Sequence, residues 1–287
     1  MNINKGDIVA RKSYGKDIIF VVEKIIKSKN EEHIAILKGV IIRIKADAPV
    51  GDLEYVSKEC LEEALKKMDE LIRTRVEHNR YPGKKIGNKF LKRYKEIIYT
   101  GRILHLDGDR RYTDKSIKYY KDLGLTAVVK NIPEYKQASI VQRLLQHYKP
   151  DILIITGHDS MIKMGTDYNN IYNYRNSRHF VNAVKEARKW GRTSDELVIF
   201  AGACQSYFEA LMLAGADFAS SPGRILIDFL DPLIVAEKIA TTDVDKYVSV
   251  SSIVSEVKEG AKGIGGTGAN GKKRVYWRQN MQNITFL

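Results

Sequence analysis

The chain has 287 residues, of which 44% are hydrophobic and 29% charged, a composition typical of folded proteins and not of disordered ones. No apolar run approaches the roughly 20 residues that a membrane-spanning helix needs, and the N-terminus lacks the apolar core of a signal peptide. The two cysteines, Cys60 and Cys204, are too few for a disulfide scaffold or a cysteine-rich zinc site. We therefore expect an intracellular protein that is not bound to a membrane and needs neither a metal nor a cofactor.

The charge balance is strongly basic, with 48 Lys and Arg against 35 Asp and Glu, a formal net charge of +13. Such an excess favours acidic proteins or nucleic acid as partners. Because the basic residues are spread along the chain and do not form one block, the pattern disfavours nucleic acid. A non-catalytic basic protein that binds nucleic acid through its N-terminal part remains the alternative function.

The first hundred residues divide into three segments. Residues 1–57 alternate short β-branched runs with glycine-containing turns, which predicts a small all-β barrel of the SH3-like kind. Residues 58–79 carry apolar side chains at three- and four-residue spacing, which predicts an amphipathic helix packed on that barrel, or at a homodimer contact. These side chains are Leu61, Leu65, Met68, Ile72 and Val76. The basic stretch that begins Tyr81-Pro82-Gly83 predicts a linker over 80–100.

From residue 101 onward, continuous apolar runs alternate with amphipathic segments. Strands are predicted at 103–106, 127–129, 152–155, 197–200 and near 217–219, and helices at 113–123, 136–148, 177–190, 206–214 and near 231–240. This alternation predicts an α/β domain over 101–287, with a mostly parallel sheet covered by helices on both faces. The glycine-rich residues 260–273 predict a flexible loop within it.

Functional residues of an open parallel sheet gather beyond the carboxyl ends of its strands. Asp107 and Asp109 follow the first predicted strand, His158 the third and Cys204 the fourth. The helix predicted from residue 206 would favour the thiolate of Cys204 through its dipole, and His158 could protonate a leaving amine. These positions predict a Cys–His pair for acyl transfer, with His179 as a second candidate base. For Cys204 alone, the alternative is a cysteine that only fills the core.

The two apolar blocks that end at Gly157-His158 and Ala203-Cys204 resemble those of the caspase-like, or clan CD, cysteine peptidases. The His and the Cys are 46 residues apart, close to the caspase spacing, and the likeness covers about residues 101–240. It implies an oxyanion hole formed by the backbone N–H groups of Asp159 and Cys204. Asp159 stands where glycine is usual, so its side chain must point away from the oxyanion. A glutamine-amidotransferase type of cysteine amidase is disfavoured, because Ser206 stands where that class has glycine.

A second resemblance covers nearly the whole chain. The segments GDIVARKSYGKDIIF, LHLDGD, YKPDILIITGHD, YRNSRHFV and LVIFAGACQSYFEALMLAGADFASSP, with the Asp231-Pro232 region, are together similar to the YabG family of sporulation peptidases. This resemblance implies cleavage after arginine and, as substrates, spore coat and cortex-associated proteins. It also implies action in the cytoplasm of the sporulating cell, on the forming spore coat.

Selection of arginine requires a carboxylate in the S1 pocket, which receives the side chain before the cut bond. Gly202 stands where several caspase-like relatives carry a specificity side chain, so the acid must come from elsewhere. Asp107 is the first candidate, Asp109 the second, and Asp228 and Asp231 are further ones. The basic run Lys272-Lys273-Arg274, which closes the predicted flexible loop, is a candidate site of self-cleavage.

Overall fold

The computed structural model describes residues 3–27, 31–79, 94–162 and 167–279. An antiparallel sheet forms first, from β1 (Ile8–Arg11), β2 (Phe20–Lys27), β3 (His33–Gly39), β4 (Lys45–Pro49) and β5 (Leu53–Tyr55). Its spatial order is β4-β3-β2-β1-β5. Alternate side chains such as Phe20 and Val22 are buried on one face, as a half-buried sheet requires. The N-terminal strands are thus confirmed, and their closure into an SH3-like barrel stays a prediction.

The rest of the chain is built around a six-stranded sheet. Its elements are α1 (Lys58–Asn79), β6 (Tyr94–Tyr99), β7 (Ile103–Asp107), α2 (Arg110–Leu123), β8 (Ala127–Asn131), α3 (Glu134–Tyr148), β9 (Ile152–Thr156), α4 (Ser177–Arg188), β10 (Val198–Ala201), α5 (Phe208–Leu213), β11 (Phe218–Ser220), α6 (Asp231–Thr241), β12 (Tyr247–Val248), α7 (Val250–Val254), α8 (Gly260–Gly263), β13 (Ile264–Gly266), β14 (Ala269–Asn270) and β15 (Arg274–Gln279). The strand order is β13-β11-β10-β9-β7-β8, and all neighbours are parallel except β13, which runs antiparallel to β11.

Both faces of this sheet are covered by helices. Ile152 and Ile154 of β9 pack in one buried cluster with side chains of α1, α2, α6 and α7. Leu153 and Ile155, which alternate with them, pack in a second cluster with side chains of α3, α4 and α5. The period of two along a strand explains this division, because successive side chains point to opposite faces. The predicted mostly parallel sheet with two helical layers is confirmed.

The sequence analysis placed helix α1 on the N-terminal sheet, but its buried face packs elsewhere. Its buried residues, Met68 and Ile72, belong to the cluster formed by α2 and α6. The guanidinium of Arg75 reinforces this contact, since it binds the carboxylates of Glu237 and Glu256 at 3.2 and 2.7 Å. The helix therefore serves as a layer of the α/β part. Within the described residues, no helix is long and apolar enough to cross a membrane.

Two predicted irregular segments contain regular structure. Residues 80–93 of the predicted linker lie outside the described residues, but Tyr94–Tyr99 forms β6, paired antiparallel with β15. The prediction of a flexible loop over 260–273 is wrong, because α8, β13 and β14 occupy it. Its glycines permit close packing, since a Cβ at Gly265 would clash with the ring of Phe208.

The basic run at the end of that segment is also ordered. Lys272 is buried, and its ammonium donates to the carbonyl oxygens of Ser194 and Asp195 at 2.8 and 2.9 Å. Arg274 is the first residue of β15. The self-cleavage prediction at Lys272-Lys273-Arg274 depended on a flexible loop, and these contacts give the segment regular structure instead.

Candidate active site

His158 and Cys204 follow two neighbouring strands in equivalent positions. Strands β9 and β10 pair in parallel with Ile155 opposite Ala201, and each site residue comes three positions later. Paired strands lie about 4.8 Å apart. The segments stay joined beyond the sheet, because the Gly202 N–H donates to the carbonyl of Ile155 at 3.0 Å. The two strand ends are adjacent, which meets the condition on which the predicted Cys–His pair depended.

The imidazole of His158 is buried and oriented by the N-terminal sheet. Its Nε2 lies 3.2 Å from the carbonyl oxygen of Gly39, at the end of β3. A carbonyl can only accept, so Nε2 carries the proton and Nδ1 is the free acceptor. Among the described residues, Nδ1 has no hydrogen-bond partner. Burial lowers the pKa of His158 to about 3, which keeps the ring neutral at physiological pH.

Cys204 sits in a tight turn between β10 and α5. Gly202 has φ +114° and Gln205 has φ +54°, and a Cβ at Gly202 would clash with the hydroxyl of Ser220. The Sγ atom accepts from the Ile227 N–H at 3.4 Å. Burial raises the pKa of the thiol to about 12. Burial therefore opposes the expected thiolate, and α5 begins only at Phe208, four residues after Cys204, so its dipole offers little compensation.

The carboxylate of Asp159 points away from its own N–H group. It accepts hydrogen bonds from the Ser206 hydroxyl at 2.9 Å and the Asn176 N–H at 2.7 Å, and from the Ser177 hydroxyl. Burial raises the pKa of Asp159 to about 6, and these hydrogen bonds oppose the rise. The backbone N–H donates in another direction, to the carbonyl oxygen of Arg43 at 3.2 Å. The carboxylate of Asp159 is thus held by Ser177, Ser206 and Asn176, while its N–H group contacts Arg43.

Asp107 binds an arginine that comes from the N-terminal part of the chain. Both side chains are fully buried, and the Nη2 and Nε atoms of Arg43 donate to Oδ2 of Asp107 at 2.9 and 3.3 Å. Nη1 donates to the carbonyl of Phe229 at 2.9 Å. The guanidinium carbon also lies 4.6 and 4.9 Å from the ring centres of Tyr112 and Phe229. Burial raises the pKa of Asp107, and the guanidinium opposes that rise.

The other three S1 candidates are engaged close to their own positions. Asp109 caps α2 and accepts from the Arg111 N–H and guanidinium at 2.9 and 3.1 Å. Asp228 accepts from the Leu230 N–H at 2.9 Å. Asp231 begins α6 and accepts from the Asp228 N–H at 3.1 Å. Burial, with the Asp228 charge beside it, raises the pKa of Asp231 to about 7.

Several residues of this region were missed by the sequence analysis. Glu134 is buried and accepts the His158 N–H at 2.8 Å, in space left by two glycines, Gly108 and Gly157. Nothing in the sequence separates Glu134 from any other acidic residue in a first helical turn. The sequence does contain a signal for Arg43, because it is the one charged residue within an otherwise apolar run from Val40 to Ile44. His179, the second candidate base, lies half-buried in the first turn of α4.

Comparison with known proteins agrees with the motifs. The family model described as YabG peptidase U57 matches residues 4–277, a range that includes both sheets and every site residue discussed above. The "Sporulation-specific protease YabG" of Bacillus subtilis (strain 168) is 37% identical over 289 residues, which cover 96% of this chain and 98% of that protein. These two matches show that the chain belongs to the YabG peptidase family.

Proposed function

We propose that the protein is a cysteine endopeptidase that cuts after arginine during sporulation. Family membership supports a peptidase, and the Bacillus subtilis relative is named a sporulation-specific protease. The cysteine mechanism is supported by the placement of His158 and Cys204 just beyond two paired strands, and the arginine preference by a buried guanidinium pocket beside them. Asp107 supplies its carboxylate.

The chemistry of this pocket favours arginine over lysine. The carboxylate of Asp107 and the carbonyl of Phe229 accept from three different nitrogens of one planar group. The ring centres of Tyr112 and Phe229 lie 4.6 and 4.9 Å from the guanidinium carbon, close enough for cation–π attraction. A lysine ammonium is a compact charge that cannot present three nitrogens in one plane to both acceptors. A pocket of this kind would select arginine at the position before the cut bond.

The proposed reaction begins from a neutral pair. As Sγ of Cys204 attacks the arginine carbonyl, the thiol proton passes to Nδ1 of His158, the acceptor left free by the Gly39 contact. The carbonyl of Gly39 then faces an imidazolium and stabilises its charge. The N–H groups of Asp159 and Cys204 would hold the oxyanion. The C–N bond breaks as His158 protonates the departing amine, and water hydrolyses the thioester.

The biological substrates follow from the family resemblance. We propose that they are spore coat and cortex-associated proteins, cut in the cytoplasm of the sporulating cell at the forming spore coat. The net charge of +13 would favour acidic protein surfaces. The N-terminal sheet takes part in the site, because β3 and the residues after it supply Gly39 and Arg43.

Fluorogenic peptides that differ only in an Arg, Lys, Asp or Leu before the cut bond test this proposal. We expect cleavage of the arginine peptide alone and its complete loss in Cys204→Ala and in His158→Ala. Cys60→Ala is the matched control, because Cys60 is exposed on α1 and should keep full activity. Activity retained by Cys204→Ala would refute the cysteine mechanism, and cleavage after another residue would refute the assignment of Asp107.

A further inference from the structure

The loop between β3 and β4 holds an arginine in a place where arginine is rarely found. Arg43 is fully buried, although arginine side chains are seldom buried without a specific partner. Every nitrogen of its guanidinium donates a hydrogen bond, to Asp107 or to the carbonyl of Phe229. The pocket described above is thus filled by the chain's own side chain. A structural ion pair would explain these side-chain contacts alone.

The backbone of the same residue makes a second set of contacts that an ion pair does not require. The carbonyl oxygen of Arg43 accepts from the Asp159 N–H at 3.2 Å, and the Lys45 N–H donates to the carbonyl of Asp159 at 3.1 Å. Ile44 and Asp159 form an isolated parallel β-bridge. The segment therefore pairs with Asp159 through this single bridge, directly after a turn in which the Ile44 N–H donates to the carbonyl of Ile42 at 2.8 Å.

The base contacts the same segment, and the nucleophile shares a buried cluster with it. Cys204 belongs to one buried cluster with Ile44 and Ile227, and the charge of Arg43 acts on its thiol. His158 contacts the carbonyl of Gly39, four residues before Arg43. The arginine side chain lies in the guanidinium pocket, its carbonyl oxygen is on an oxyanion-hole N–H, and the following side chain packs in the cluster of the thiol.

We propose that Arg43–Ile44 is an internal cleavage site, held in the active site as a substrate and blocking it until it is cut. This inference rests on the proposed cysteine peptidase activity. In the reaction, Sγ of Cys204 bonds to the carbonyl carbon of Arg43, and the bond from that carbon to the nitrogen of Ile44 breaks. The thiol proton leaves with the new Ile44 amine through His158. Water then cleaves the thioester, which regenerates the thiol and leaves a carboxylate on Arg43.

The cut would open the site without destroying the sheet. Strand β4 pairs with β3 through five register pairs, from Ile34 opposite Pro49 to Lys38 opposite Lys45. These hydrogen bonds lie outside the cut bond, so both fragments stay associated. The new carboxylate end of Arg43 would no longer be tied to Ile44 and could leave the pocket, which then becomes available to an arginine of another protein.

Intact mass spectrometry of the freshly purified full-length chain tests the inference. We expect the wild type to convert into fragments of 43 and 244 residues, ending at Arg43 and starting at Ile44, while Cys204→Ala stays whole. The half-time should stay constant over a wide range of enzyme concentration, because the reacting groups belong to one molecule. Arg43→Lys should slow the cut by at least about tenfold, since an ammonium makes fewer of the pocket contacts.

The controls separate this inference from the proposed function. Arg110→Gln alters an exposed arginine and should leave the rate of self-cleavage unchanged. An intact Arg43–Ile44 bond in an enzyme that cleaves an external arginine peptide overturns the inference and leaves the proposed function standing. A half-time that shortens in proportion to concentration also overturns it. If neither bond is cut, the proposed function itself fails. A circular dichroism spectrum of Arg43→Lys equal to that of the wild type shows that slower cleavage reflects recognition and not unfolding.

Discussion

The buried pair of Arg43 and Asp107 should dominate the stability of the contact between the N-terminal sheet and the α/β part. Both side chains are 0% exposed, so replacing Asp107 by Asn leaves a guanidinium buried without its counter-charge. Breaking a buried ion pair by removing one partner costs about 3–5 kcal/mol. In a chain of this size that corresponds to a fall in melting temperature of roughly 6–20 °C.

The measurement is thermal and urea unfolding in a Cys204→Ala background, which prevents any self-cleavage from confusing the result. A double-mutant cycle with Arg43→Met isolates the pair, and the double variant should lose at least about 2 kcal/mol less than the sum of the single variants. The matched control is Asp114→Asn, whose partner Arg110 is 85% exposed, and which should change stability by less than about 0.5 kcal/mol. Additive single effects, or a loss below about 1 kcal/mol for Asp107→Asn, would refute this account.

Three further predictions follow from the surroundings of His158 and Cys204. Because burial lowers the pKa of His158 to about 3 from 6.5, the unfolded chain takes up a proton below pH 6.5 and the folded chain does not. The free energy of unfolding should therefore fall as pH drops from 6.5 toward 3, by up to about 1.4 kcal/mol per pH unit from this group. The His158→Gln variant should show a flatter dependence of this free energy on pH, measured by urea unfolding. Parallel pH profiles for the variant and the wild type would contradict this prediction. Glu134→Ala, which leaves the buried His158 N–H unpaired, should cost about 1–3 kcal/mol, whereas Glu134→Gln keeps an acceptor and should cost less; equal melting temperatures for the two variants would count against this role. Gly202→Ala should lower stability and peptide cleavage together, since it meets both a positive φ and the Ser220 hydroxyl; an unchanged melting temperature would show that the turn is not strained.

Periodicity located most of the secondary structure. The alternation of apolar runs and amphipathic segments predicted the parallel strands and the five major helices after residue 101, most within a few residues of their observed bounds. It failed at 260–273, where glycine was interpreted as flexibility. There the missing side chains allow the backbone to pack closely, as at Gly265 against Phe208. Glycine content alone does not distinguish these two uses, because each depends on what lies nearby.

Part of the candidate site could be predicted from the sequence. The carboxyl ends of parallel strands meet at one edge, so His158 and Cys204 could be named before their neighbours were known. The protonation states of these two side chains could not be predicted from the sequence, because they depend on burial. Burial favours the neutral form of both the thiol and the imidazole, whereas the sequence analysis had expected a helix dipole to favour the thiolate.

The sequence by itself determined the elements, the two apolar faces of the sheet and the strand ends that carry the reactive side chains, because these depend on local pattern and on the pleat. Only the tertiary structure decided which other residues surround these strand ends. Gly39 and Arg43 lie far from His158 and Asp107 along the chain, and no local pattern links them. They meet because a loop of the N-terminal sheet can bury an arginine only where a carboxylate and a carbonyl replace its water.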